Sequence, residues 1–224
     1  MQRFTSVDPL AEKYYSISPY AYCAGNPVNR IDPDGRYIHV TRNVRAETLK
    51  YINSLAAGTF GINKSGNLYL IKKDGLSGFS TEYRDRLISA IDDKKNAINI
   101  SKSNSFSDKG VTKNIDKDEG GGVTIPKTMT TTVTKDGKEN VTTTKEADVI
   151  ISGNKNEGLK DTKGNDLPDT PAQILMHELV GHAIPFTEGT NTGNAIDNEN
   201  KVRIQLKEGQ NQERAKDPNH PHPE

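Results

Sequence analysis

The sequence predicts an α+β fold, a small mixed or antiparallel sheet with one long hairpin, packed on a helix that carries two histidines and on a C-terminal helix. Three observations predict it. Two Thr/Val-rich arms flank Lys135-Asp136-Gly137, the pattern of a long hairpin around a tight turn. Apolar residues recur at helical spacing only in short segments separated by turn residues. Hydrophobic residues make up 32% of the 224 positions, so the core is small and much of the chain is loop, hairpin or solvated tail.

Residues 1–36 have a character of their own, "RFTSVDPLAEKYYSISPYAYCAGNPVNRIDPDGR". Tyr, Pro, Asn and Asp-Pro pairs favour turns and short strands. Too few aliphatic side chains are present for a separate core. "YIHVTRN" then reads as a strand, and "VRAETLKYINSLAAG" as an amphipathic helix carrying Val44, Leu49, Ile52 and Leu55, with Gly58 as its stop. "FGINKSGNLYLIKK" is a hairpin turning at Lys64-Ser65-Gly66-Asn67. "STEYRDRLISAIDD" is a helix with Ser80 or Thr81 as cap, followed by a strand "NAINIS". Residues 101–119 are polar and read as irregular. After the Thr-rich hairpin, "ADVIIS" is an apolar strand and "NKNEGLKDTKGNDLPDT" an exposed loop. Asp169-Thr170-Pro171 opens the next helix as a cap followed by Pro in the first turn. "AIDNENKVRIQLKEG" is the last helix, and residues 211–224, "NQERAKDPNHPHPE", read as a disordered tail in which the Pro-flanked histidines are solvated.

Several classes are excluded by composition. Thirty Lys+Arg balance thirty Asp+Glu, which leaves no electrostatic footprint for nucleic acid or an anionic membrane. Cys23 is the single cysteine, so neither an internal disulfide nor a four-cysteine zinc site is possible. No apolar run approaches the ~20 residues of a membrane helix. The opening "MQRFTSVDPL" lacks a charged-then-apolar signal pattern and reads as part of something longer, with any export signal outside it.

The stretch that carries chemistry is "ILMHELVGHAIP". A zinc-peptidase helix presents two His at i and i+4, with a Glu beside the first as base. Here His177 and His182 are five apart. On a regular helix that separates them by about 140° around the axis, too far to share one ion. One extra residue is absorbed by a π-bulge, and Gly181 sits where the backbone freedom for it is wanted. Pro185 then disfavours helix at Ile184. On this reading His177 and His182 are metal ligands and Glu178 is the catalytic base that deprotonates a zinc-bound water. The alternative is a core helix with two hydrogen-bonded histidines. The third ligand is expected from the next helix: Glu199 first, with Asp197, Glu188 or a tail histidine as competitors. Arg203, one turn after Glu199, either pairs with it or stabilises the oxyanion, a role for which Tyr83 also competes.

Three resemblances sharpen this. "RFTSVDPLAEKYYSISPYAYCAGNPVNRIDPDGR", with Asp8-Pro9 early and Asp32-Pro33-Asp34-Gly35 at its end, resembles the C-terminal end of the Rhs/YD-repeat core domain of bacterial polymorphic toxins. The resemblance implies a β-cage remnant at 1–36 and a toxin tip beyond it, over 37–210. In that family an apolar residue follows the Gly, where this chain has Arg36. "HELVGH" is similar to the helix of the dipeptidyl peptidase III family of zinc peptidases, which has the same extra residue. "LMHELVGHA" followed by "NAIDNENKVR" resembles the zinc metallopeptidase tips of Rhs-type toxins, with a zincin-like fold and a Glu as third ligand.

The expected function is therefore a zinc-dependent endopeptidase acting as the tip of an Rhs-type effector, secreted or delivered into a target cell. Its implied partners are a peptide or protein substrate, the Rhs cage and a cognate immunity protein, with neither nucleic acid nor membrane. The alternatives are a nuclease tip and a non-catalytic interaction module with a degenerate metal motif. An extended peptide is expected to pair with the edge of "DVIIS" beside the histidine helix.

Overall fold

The computed structural model describes residues 37–217 and His220, apart from 74, 76, 94, 136–137 and 190–192. The reading of residues 1–36, the Asp136-Gly137 turn and His222 lie outside the described residues. The fold is α+β. Among the described residues, eight strands and six α-helices follow in chain order: β1 (Tyr37–Val40), α1 (Arg45–Leu55), β2 (Gly58–Ile62), β3 (Leu68–Lys73), α2 (Thr81–Asp92), β4 (Ala97–Lys102), β5 (Ser105–Asp108), β6 (Val111–Asn114), α3 (Ile115–Asp118), β7 (Gly122–Lys135), β8 (Lys138–Ile151), α4 (Pro171–His177), α5 (Ile184–Glu188) and α6 (Ala195–Arg203). A π-helical turn, Glu178–Ala183, joins α4 to α5.

The main sheet has the order β1-β4-β8-β7. β1 and β8 both run parallel to β4, while β7 returns antiparallel to β8 in unbroken register from Gly122↔Ile151 to Lys135↔Lys138. The sheet is thus mixed, and the apolar "DVII" is the inner end of the same strand that begins in the Thr-rich arm. It is flanked by β4 and β7, so its edge is unavailable; the open edge next to the helix is that of β7. Val40, Ile98, Ile100, Ala147, Val149 and Ile151 turn inward and meet Ile174, Leu175, Leu179 and Val180 of the long helix in one core. Full burial of each large aliphatic chain stabilises by about 1.5–3 kcal/mol, and this anchors the helix across the sheet.

Three local expectations change. Gly58 does not cap α1; the chain turns extended at Ala56, whose neighbour Ala57 donates to the Ser80 carbonyl at 2.8 Å, and Gly58 opens β2. Residues 105–118 are not irregular but form the β5–β6 hairpin and one turn of α3. The turn is Lys109-Gly110, both at positive φ, which is the two-residue geometry that matches strand twist. α6 ends at Arg203, earlier than its sequence pattern suggests.

Residues 211–217, expected to be disordered, are tied down. Thr162 N–H donates to the Glu213 carbonyl at 3.0 Å and Ala215 N–H to the Lys160 carbonyl at 2.9 Å. Asn200 grips Arg214 from both sides, accepting from its N–H at 2.8 Å and donating to its carbonyl at 3.0 Å. These partners lie far away in sequence, so composition alone read the segment as solvated.

Candidate metal centre

The helix that builds the site starts firmly. Thr170 and Gln173 form a reciprocal capping box, with Pro171 in the first turn. At Glu178 the hydrogen bonding switches to the wider register, and the N–H of Ile184 reaches the carbonyl of Leu179, five residues back. The extra residue in this turn brings His177 and His182 to one face, their rings 5.1 Å apart. Pro185 does not end the helix, which runs on to Glu188. In the wide register the carbonyl of Val180 would look to residue 185, and Pro has no N–H to offer. Arg86 Nη1 donates to that carbonyl instead, at 3.3 Å. Gly181 is needed for a reason other than backbone freedom: a Cβ there would lie 3.1 Å from the Ala195 Cβ, so it is the point where α6 packs against the π-turn.

The third histidine comes from the tail. His220 Nε2 lies 3.0 Å from His177 Nε2 and 3.1 Å from His182 Nε2. His177, His182 and His220 can hold a metal ion, since one nitrogen of each falls within a common 4.8 Å. The donor set fits a cation on chemical grounds. Three imidazole nitrogens face one another, and the protons available cannot satisfy all three lone pairs at once. Zinc at about 2.0–2.1 Å from each nitrogen needs separations of about 3.3 Å, a few tenths more than those seen.

Glu199, the expected third ligand, sits on the other side of His177. Its Oε2 is 2.8 Å from His177 Nδ1, so it orients the ring whose Nε2 faces the cluster. Both of its oxygens are engaged: Arg203 Nε donates to Oε1 and Arg214 Nη1 to Oε2 at 3.2 Å. Arg203 also donates to Asp169 at 3.2 Å. It is 0% exposed, so it cannot meet a substrate oxygen; its role is to hold Glu199. Tyr83 is equally buried in the α2 core and is not an oxyanion donor. Asp197 lies half-exposed near Lys216, 3.6 Å away, and Glu188 ends α5; neither is among the residues that line the cleft below.

That cleft, of about 530 Å³, is lined by His177, Glu178, His182, His220 and Arg214 together with β7. No protein-family model, curated protein or solved structure matches the chain. Among the described residues, no helix is long and apolar enough to cross a membrane.

Electrostatics in the cleft follow from burial. Burial raises the Glu178 pKa, against the opposing pull of His177 and the Thr124 hydroxyl, which donates to Oε2 at 2.7 Å. Glu178 Oε1 takes no hydrogen bond among the described residues. Gly122 lets β7 approach this closely, because a Cβ there would lie 2.9 Å from Glu178 Cγ. Burial, reinforced by the neighbouring imidazoles, pushes His182 down to about 3. His220 falls to about 4 for the same reasons, with Arg214 adding to the effect. His177 goes the other way: burial lowers it, but the Glu199 carboxylate more than offsets this. Glu199 is itself held well below the usual carboxylate range, because His177, Arg203 and Arg214 outweigh its burial. Asp169 rises to about 6 through burial and the nearby Glu199 charge.

His177, Glu178 and His182 are therefore together as the sequence suggests. His220, a tail histidine that ranks behind Glu199 in the sequence reading, supplies the third imidazole, and Arg214 of the same site is not foreseen by the sequence. The "NHPHP" histidines were a visible signal; Arg214 had none, because its place depends on Asn200 and the 160–162 loop.

Proposed function

We propose that the chain is a zinc-dependent peptidase. The observation that carries this is the convergence of three imidazoles, with His220 Nε2 3.0 Å from His177 Nε2 and 3.1 Å from His182 Nε2, beside the buried carboxylate of Glu178 in one cleft. An all-nitrogen set of neutral imidazoles suits zinc and leaves a fourth position open. The ligands on this reading are His177, His182 and His220, in place of a set that includes Glu199. A zinc ion held there would polarise a carbonyl and lower the pKa of a ligated water toward neutrality.

The chain's own residues supply the rest. Glu178 lines the cleft beside the three imidazoles, with the Thr124 hydroxyl holding one of its oxygens, and is the carboxylate placed to act as base. It takes a proton from the attacking water and passes it to the leaving nitrogen, as the new C–O bond forms and the peptide C–N bond breaks. The open edge of β7 supports an extended substrate by main-chain pairing. The "DPDGR" boundary and the His-Glu helix together favour the tip of an Rhs-type toxin, with the cage and an immunity protein as partners.

The test is elemental analysis of the purified chain with cleavage of a denatured protein such as casein. About one zinc per chain is expected. Glu178→Gln should keep the zinc and lose cleavage by a factor of roughly 10² or more. A zinc-free wild type after incubation with zinc, or full activity in Glu178→Gln, would defeat the reading. Cleavage of plasmid or RNA instead of protein would install the nuclease alternative.

A further inference from the structure

We infer that Arg214 is the anion-binding residue of the cleft, placed to receive a negatively charged oxygen of the substrate beside the three imidazoles. The identity of that substrate as a peptide rests on the peptidase reading above.

The argument begins with position. Arg214 lines the same cleft as the histidines and Glu178, with its side chain 12% exposed. It does not wander. Asn200 clamps its backbone N–H and carbonyl, and the neighbouring Ala215 is bonded to Lys160. A donor held this way meets its ligand with little reorganisation, which is the condition under which electrostatic stabilisation is strong.

The hydrogen bonds then point outward. Arg203 already holds Glu199 and Asp169 together in the core. Arg214 makes the longest contact on the Glu199 carboxylate, 3.2 Å, through Nη1 alone. A guanidinium carries five N–H donors, and those on Nε and Nη2 find no partner among the described residues. Its positive charge opposes any cation that the imidazoles hold, and that repulsion is relieved when an anion enters the cleft. The planar fork of Arg matches a carboxylate or an oxyanion better than a point charge does. Arg203, which the sequence offered for this role, is sealed in the core, whereas Arg214 is open to the cleft.

An anionic oxygen has two sources in a peptide: the scissile carbonyl as it gains charge, or the fixed carboxylate of a free C-terminus. Three probes separate them: N-acetyl-Phe-Ala with a free carboxylate, its C-terminal amide, and that amide with a phosphonamidate in place of the internal peptide bond. Binding to the full chain is measured by calorimetry for wild type, Arg214→Ala and Arg214→Gln, with zinc content read on the same samples. Wild type should prefer at least one anionic probe over the neutral amide by about tenfold or more, and both variants should lose that preference while keeping their affinity for the amide. Preference for the carboxylate makes the enzyme one that trims peptide ends; preference for the phosphonamidate assigns Arg214 to the carbonyl oxygen. A wild type without any such preference, or a preference that survives in both variants, overturns the inference. So does loss of zinc in the variants when wild type holds it, because Arg214 is then only a prop for Glu199. Absence of zinc from wild type would fail the peptidase reading alone, since the probe comparison still decides Arg214.

Discussion

Replacing Glu199 by Gln and His220 by Ala tests which of the two completes the metal centre. Glu199 touches His177 Nδ1 at 2.8 Å and stands behind the ring, whereas His220 faces both other imidazoles at 3.0 and 3.1 Å. Glu199→Gln keeps an acceptor for Nδ1 but loses the charge that makes the ring a better ligand. Loss of such an outer partner lowers metal affinity by about 10–100-fold, or roughly 1.4–2.7 kcal/mol, without changing stoichiometry. It also leaves the fully buried Arg203 with Asp169 as its one remaining anion, so the fold loses stability, by less than the about 3–5 kcal/mol of a buried pair broken outright. His220→Ala removes one of three nitrogen donors and should cost more affinity than Glu199→Gln, with the fold intact. Competition against a chromophoric zinc chelator gives both affinities, and urea unfolding gives the stability. Wild-type zinc affinity in His220→Ala, with no binding by a folded Glu199→Gln chain, would refute the assignment and restore Glu199 as ligand.

Three further outcomes are expected. Gly181→Ala should destabilise by about 1–3 kcal/mol in urea, since the new methyl would lie 3.1 Å from the Ala195 Cβ; if Gly181 served only helix flexibility, Ala would instead stabilise by up to about 1 kcal/mol. The Thr124 hydroxyl lowers a Glu178 pKa that burial has raised, so Thr124→Val should raise it further and move the acid limb of the hydrolysis profile to higher pH; an unmoved limb would remove Glu178 as the titrating base. In the metal-free chain His182 is depressed to about 3 from 6.5, so its contribution to stability is full above pH 6.5 and is lost as pH falls toward 3. His182→Asn should therefore flatten the fall of stability between pH 6 and 4, by at most about 1.4 kcal/mol per pH unit, and an unchanged slope in chelator would contradict it.

Much of this was legible in the sequence. The two Thr/Val-rich arms around Lys135-Asp136-Gly137 predict the β7–β8 hairpin, Ser80 or Thr81 as cap predicts the start of α2, where Ser80 is the cap, and the five-residue spacing of His177 and His182 requires the π-turn that the structure contains. These are local facts, because a helix or strand repeats over a few residues and so does its pattern. Tertiary structure decided the rest. Glu199 and Arg203 lie on the expected helix, but the direction in which α6 crosses the π-turn, set by Gly181 against Ala195, turns them behind His177. His220 stands 38 residues beyond His182 and reaches it because Asn200 and the 160–162 loop hold the intervening chain. Periodicity cannot express that: a metal centre is a meeting of side chains in space, and its last member is brought there by hydrogen bonds between segments that are strangers in sequence.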